Sequence, residues 1–152
     1  MSEDSILGAF AGHAFLRGLS QRHLMQLASG ARPFTAAAGE FLAREGEPAH
    51  HFYLIQAGHV ALSARAGARG SVEVQTAGPG DVVGWSWMVP PYRWQFEARA
   101  KDAVSGIALD AAWLRDQCEQ DYQLGYHLLK HLATVLATRL AATRLQLLDV
   151  YK

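Results

Sequence analysis

The apolar positions change period twice along this chain. Over residues 5–29, Ile6, Leu7 and Phe10, then Phe15, Leu16 and Leu19, then Leu24, Met25 and Leu27 recur at three- and four-residue spacing, which predicts short helices. Ser20 stands just before the Leu24 run, where its hydroxyl is placed to cap a helix. Over residues 30–110 glycine becomes frequent. Gly39, Gly46, Gly58, Gly67, Gly70, Gly78, Gly80 and Gly84 separate short segments rich in β-branched or aromatic residues, such as those at 51–55 and 71–75. Short strands with turn signals about every eight to twelve residues predict a β-sandwich or barrel. Gly58 and the loop at 66–70 are placed as hairpin turns between neighbouring strands. Residues 111–152 return to helix. From Asp121 to Val150 there is no proline, Gly125 is the one glycine, and the run is rich in leucine and alanine.

That final run predicts more than a helix. Leu129, Leu132, Leu136, Leu140, Thr143, Leu147 and Val150 form a stripe at alternating three- and four-residue spacing, and Leu124, Leu128, Val135, Ala142 and Leu145 form a second apolar line. A helix that is apolar on two faces must bury both. A small β-domain covers one of them, so the expectation is a homodimer, with Leu129, Leu132, Leu136, Leu140 and Leu147 at its interface. The alternative is one broad face packed on a single monomeric core.

Composition narrows the class. A chain of 152 residues is about one domain's worth, so residues 1–152 read as a single unit. With 50% apolar and 18% charged residues it is no disordered tail. Lys+Arg and Asp+Glu balance at 14 each, so no net field draws the chain to nucleic acid or anionic lipid. A single cysteine, Cys118, excludes an intramolecular disulfide framework and a CxxC zinc knuckle. The acidic start is no basic n-region of a secretory signal, and no run approaches the roughly 18 apolar residues of a membrane span. A cytoplasmic domain is expected.

Two segments are familiar: residues 13–19, and residues 38–62 with Gly39-Glu40, Glu45-Gly46, Tyr53-Leu54-Ile55 and Gly58-x-Val60. Together with Pro79-Gly80-Asp81-Val82-Val83-Gly84, they resemble the cyclic nucleotide-binding domain superfamily, the sensor half of catabolite-activator-type bacterial regulators. The likeness runs over about residues 10–150. It implies a mainly β fold with flanking helices: a double-stranded β-helix (jelly-roll-like) roll of about eight strands with short N-terminal helices and a long C-terminal helix.

The resemblance also implies where a ligand would sit. In the family a cassette between two strands cradles a cyclic phosphate on backbone N–H groups, a glutamate after the glycine takes the ribose, and an arginine about ten residues on pairs with the phosphate. Here the cassette spans 84–95. Its glycine is Gly84, but Trp85 stands at the glutamate position, and the phosphate arginine falls at Trp94, with Arg93 one residue early. Cyclic AMP binding of the ordinary kind is therefore not expected. The candidate pocket comprises Gly84, Trp85, Ser86, Trp87, Tyr92, Arg93 and Trp94, with Arg139 and Thr143 from the long helix, where the family's helix reaches over the ligand. Three readings of the aromatic cassette stay open: the rings fill the old pocket, they stack on another flat ligand with Arg93 or Arg99 supplying charge, or they form a patch for a partner protein.

The smaller signals carry little chemistry. His127 and His131 are four residues apart on a helix, but no carboxylate or cysteine joins them as a third ligand, and His50-His51 lacks one too. There is no Gly-x-Ser-x-Gly elbow, Walker loop or glycine-framed carboxylate pair, so no catalytic residue or cofactor is assigned beyond a nucleotide-like or other flat ligand. The chain stops at Lys152 without the recognition helix such regulators use on DNA, so no direct nucleic-acid or membrane partner is expected. The function expected is a stand-alone regulatory or sensory ligand-binding module. The alternatives are a ligand-free dimeric scaffold and a transcription regulator acting through a partner's DNA-binding domain.

Overall fold

In the computed structural model, which describes residues 2–150 apart from the side chains of Glu3 and Val150, the glycine-punctuated middle of the chain forms eight strands. They are β1 (Ala31–Ala36), β2 (Phe41–Ala43), β3 (His51–Ala57), β4 (Val60–Arg65), β5 (Ser71–Ala77), β6 (Val82–Val83), β7 (Glu97–Ala100) and β8 (Val104–Asp110). Two four-stranded antiparallel sheets result, in the orders β1-β8-β3-β6 and β2-β7-β4-β5. Most connections pass from one sheet to the other, so the chain winds as a jelly roll. This changes the reading of Gly58. With φ +87 it turns the chain between β3 and β4, which lie in different sheets and do not pair. The true hairpin joins β4 to β5 through the 3₁₀ turn Gly67–Arg69.

The helices start where a side chain can satisfy their free N–H groups. The Ser2 hydroxyl caps α1 (Glu3–Ala11), and Ser20 Oγ accepts from His23 N to cap α2 (Gln21–Ala28). Asp110 Oδ1 accepts from Trp113 N at 2.8 Å and opens α3 (Ala111–Gln120) directly from the last strand. Asp121 does the same for Leu124 N at 3.1 Å, and α4 (Tyr122–Val150) begins there. Among the described residues no helix is long and apolar enough to cross a membrane.

Strand alternation divides the apolar residues between two cores. In β3, Phe52 and Leu54 face the helices, while Tyr53 and Ile55 face the interior of the roll. The helical core gathers Phe10, Phe15, Leu27 and Leu114 with Leu124, Leu128 and Leu132 of α4. The roll interior is filled by small residues (Ala43, Ala77, Ala98, Ala100) around Ile55, Val60, Leu62, Val83 and Trp94.

This corrects one interface assignment. Leu132 is only 2% exposed and belongs to the chain's own core. At 100° per residue it sits about 60° around the helix from Leu129, toward Leu128, so it turns inward with the second apolar line. Leu145 of that second line is exposed instead, as are Leu129, Leu136, Leu140 and Leu147. Val150, the end of the stripe, lies outside the described side chains.

Candidate functional site

The cassette leaves β6 at Gly84, where φ is +108 and a Cβ atom would stand 2.8 Å from the Trp94 ring. Glycine is required there on both counts. Ser86 and Trp87 then turn into the protein. Trp87 is fully buried, its ring 5.3 Å from Phe52, and neither its Nε1 nor Ser86 Oγ has a hydrogen-bond partner among the described residues. Arg115 of α3 anchors the outer part of the cassette. Its Nη1 donates to Trp87 O at 2.9 Å, and its guanidinium lies 4.1 Å over the Tyr92 ring.

Beyond Tyr92, which has φ +60, the chain zips onto the loop between β2 and β3. Ala49 N donates to Tyr92 O, Trp94 N to Glu47 O, and Gly46 N to Trp94 O, all at 2.8–2.9 Å. In this extended pairing consecutive side chains point opposite ways. Arg93 therefore faces outward, its Nη1 donating to Gly46 O at 2.9 Å, and Trp94 points into the roll. Arg99 is also outside, with Nε donating to Gly39 O.

Three of the sequence-predicted residues do meet. Trp85, Arg139 and Thr143 line a cavity of about 250 Å³ between the β4–β5 face of the roll and α4. Leu62, Val74, Gln75 and Phe96 form its floor, and Leu136 and Leu140 its helical wall. Gly84 adjoins it through Trp85. Ser86, Trp87, Tyr92, Arg93 and Trp94 do not line it, because core burial, the stack on Arg115 and the pairing with residues 46–49 direct them elsewhere.

The cavity's polar groups are tied to α4. Arg139 Nη2 donates to Val82 O at 2.6 Å, fixing the helix to the cassette strand. Burial weighs against the Arg139 charge and lowers its pKa, and the Asp81 carboxylate partly offsets this. No carboxylate lies within ion-pair distance of Arg139 among the described residues. Gln75 Nε2 donates to Arg139 O at 2.6 Å and reaches Thr143 Oγ1 at 3.5 Å, and Gln146 Nε2 donates to Val74 O at 2.8 Å. Gln75 was not singled out by sequence. A β-bulge explains it: Leu62 pairs with Gln75 and Ser63 with Glu73, so Val74 is the extra residue and both it and Gln75 turn to the cavity.

Comparison with known proteins agrees with this layout. A cyclic nucleotide-binding domain of Methylobacillus flagellatus superposes with a TM-score of 0.79 at 20% identity, covering 97% of this chain and 83% of that one. A structure from Geobacter metallireducens, assigned provisionally to the cyclic nucleotide-binding proteins, gives 0.77 at 24% identity over 92% of this chain and 98% of that one. The regulatory subunit of a cAMP-independent protein kinase A from Trypanosoma cruzi, solved bound to guanosine, gives 0.66 at 21% identity over 90% of this chain and 50% of that one. The sequence model of the cyclic nucleotide-binding domain matches residues 33–121, from the first strand through α3. With that match spanning more than half its length, and the roll, cassette and closing helix in place, this chain belongs to the cyclic nucleotide-binding domain family.

Proposed function

We propose that the chain is a regulatory module that binds a flat, phosphate-free ligand in the cavity beneath α4, and that it does not take cyclic AMP in the family's usual way. One observation carries the reading. The cavity presents the Trp85 ring where the family keeps a carboxylate, while the one cassette arginine, Arg93, is bonded to Gly46 O on the far side. Hydrogen bonds to charged groups contribute about 1.5–3 kcal/mol each, so a cyclic phosphate and its ribose forgo several kcal/mol here. An indole, a phenyl ring and aliphatic walls suit a planar, weakly polar body, with Gln75 and Arg139 as orienting groups. The relative of Trypanosoma cruzi, bound to guanosine, supplies a precedent for such a ligand on this fold. In this reading the chain regulates by binding and catalyses nothing.

The module works as a pair of chains. Leu129, Ala133, Leu136, Leu140, Thr143 and Leu147 follow an unbroken four-three spacing on the face of α4 turned away from the helical core. Four of them are large apolar residues left exposed by the single chain. That is the seam a two-stranded coiled coil uses.

Thermal melting with cyclic AMP, cyclic GMP and guanosine tests the ligand reading. A site at 100-fold ligand excess over its Kd gains about 2.7 kcal/mol, which at this size is roughly 5–10 °C. Guanosine is expected to raise Tm and change indole emission, Trp85→Ala to abolish the emission response, and the two cyclic nucleotides to do nothing. A clear shift with cyclic AMP overturns the reading.

A further inference from the structure

The roll has a second concave site, between β1, β3 and β8 of one sheet and β2 of the other. Arg32 of β1, Ala108 of β8 and Tyr53 of β3 lie in one row across the sheet, on its inner face. Ala108 is small, so a trough of about 170 Å³ opens between the flanking side chains. Its apolar walls are Phe34, whose ring is 4.9 Å from that of Tyr53, and Phe41 with Leu42 from the opposite sheet. It shares no lining residue with the cavity under α4.

Three polar groups, from Arg32, His51 and Tyr53, converge there, and none of them is paired with Glu40, the one carboxylate in the lining. Arg32 Nη2 lies 2.8 Å from His51 Nε2, and a guanidinium only donates, so that ring nitrogen accepts and the imidazole is neutral. Burial first, and then the Arg32 charge, lower the His51 pKa, which keeps it so. Among the described residues Arg32 has no ion-pair partner and the Tyr53 hydroxyl no hydrogen bond. Of the nearby acids, Glu40 lines the trough with its Oε1 accepting from Ala37 N, and Asp110 Oδ1 accepts from Trp113 N while its charge partly opposes the lowering of the His51 pKa.

We propose that this mouth of the roll binds a small carboxylate carried on a single ring or short apolar chain. The carboxylate would take Arg32 and the Tyr53 hydroxyl, and the apolar part would lie between Phe34 and Phe41. One guanidinium matches one negative charge, whereas a dianionic phosphate would leave a charge uncompensated against apolar walls. At about 170 Å³ the trough is smaller than the cavity of about 250 Å³ under α4, and it suits a single ring better than a nucleotide.

Titrating the labelled full chain with benzoate, its neutral isostere benzamide and inorganic phosphate, read by amide chemical shifts, tests this. Benzoate at millimolar concentration is expected to move signals at 32–34, 41–42 and 51–53, and benzamide and phosphate to leave them in place. Arg32→Gln should weaken benzoate at least about tenfold, Tyr53→Phe by several-fold, and Arg139→Gln not at all. Arg32 is exposed, so its variant keeps the fold, and circular dichroism checks that. No benzoate response, an equal response to benzamide or phosphate, or an unchanged affinity in Arg32→Gln each overturns the assignment. A benzoate response lost in Arg139→Gln instead would place the ligand under α4 and overturn it as well.

Discussion

Between Tyr122 and Val135, α4 turns Leu124, Leu128 and Leu132 into the helical core at 2% exposure or less, whereas the leucines from 136 to 148 are 37–65% exposed. The two halves are one continuous helix held by different physics. Burying a leucine side chain contributes about 1.5–3 kcal/mol, and three such residues fix the first half firmly. The second half touches the roll chiefly through the side-chain bonds of Arg139, Gln75 and Gln146, each of which contributes about 0.5–1.5 kcal/mol net, or up to about 3 for the charged one. A helix can thus be a fixed part of the fold at one end and a more lightly held wall of a cavity at the other. The weaker half is the one that lines the cavity and carries four of the six seam residues.

The largest expected contrast is in stability. Leu128→Ala should cost about 2–5 kcal/mol in urea unfolding, and Leu147→Ala, measured on dilute protein, no more than about 0.5 kcal/mol. Equal losses would erase the distinction between the halves. Association sharpens it next. Light scattering should give a mass near twice 16.6 kDa for the parent chain and near 16.6 kDa for Leu140→Asp, with the melting of the single chain little changed. A parent monomer at tens of micromolar breaks the idea that a second copy covers the seam.

The smallest effect concerns how the first half is anchored. The 3₁₀ turn Ala14–Leu16 is gripped from both sides: His13 Nδ1 accepts from Phe15 N, and His131 of α4 donates from Nδ1 to Phe15 O at 2.6 Å. His13 Nε2 also donates to Ile55 O, so its ring must stay neutral, and burial lowers its pKa below the ordinary 6.5. The unfolded chain then binds the extra proton first. The stability due to this group is complete above pH 6.5 and is lost as pH falls through that value toward the folded pKa. Tm should therefore drop between about pH 7.5 and 5.5, and His13→Gln should flatten that drop. An unaltered slope in the variant would assign the pH dependence to other groups.

Much of this architecture was legible because period is a local property. Glycine spacing marked the strands, Ser20 marked a helix start, and the leucine- and alanine-rich run from Asp121 marked α4. The faces were harder. Leu132 reads as part of the outer stripe by spacing alone, yet lies on the inner side of a helix whose two apolar lines are close together. In the cassette, Trp85 was placed at the cavity, but the outward turn of Arg93 and inward turn of Trp94 follow from pairing with residues 46–49, a long-range event without a local signal. Gln75 escaped notice because the bulge at Val74 breaks the two-residue alternation that a strand reading assumes.

The bond from Gln146 to Val74 O has a further consequence. An open sheet edge invites a second chain to add its own strand, the first step toward fibrils. The outer strand β5 spends one of its free carbonyls on a glutamine of α4, β1 on the other sheet carries Pro33, which has no N–H to offer, and the remaining edges, β2 and β6, run only three and two residues. These features blunt the strand edges against backbone-templated pairing, which leaves the exposed leucines of α4 as a contrasting apolar surface. Losing the Gln146 bond would free the Val74 carbonyl, so the seating of the end of α4 and the pairing capacity of the β5 edge are linked.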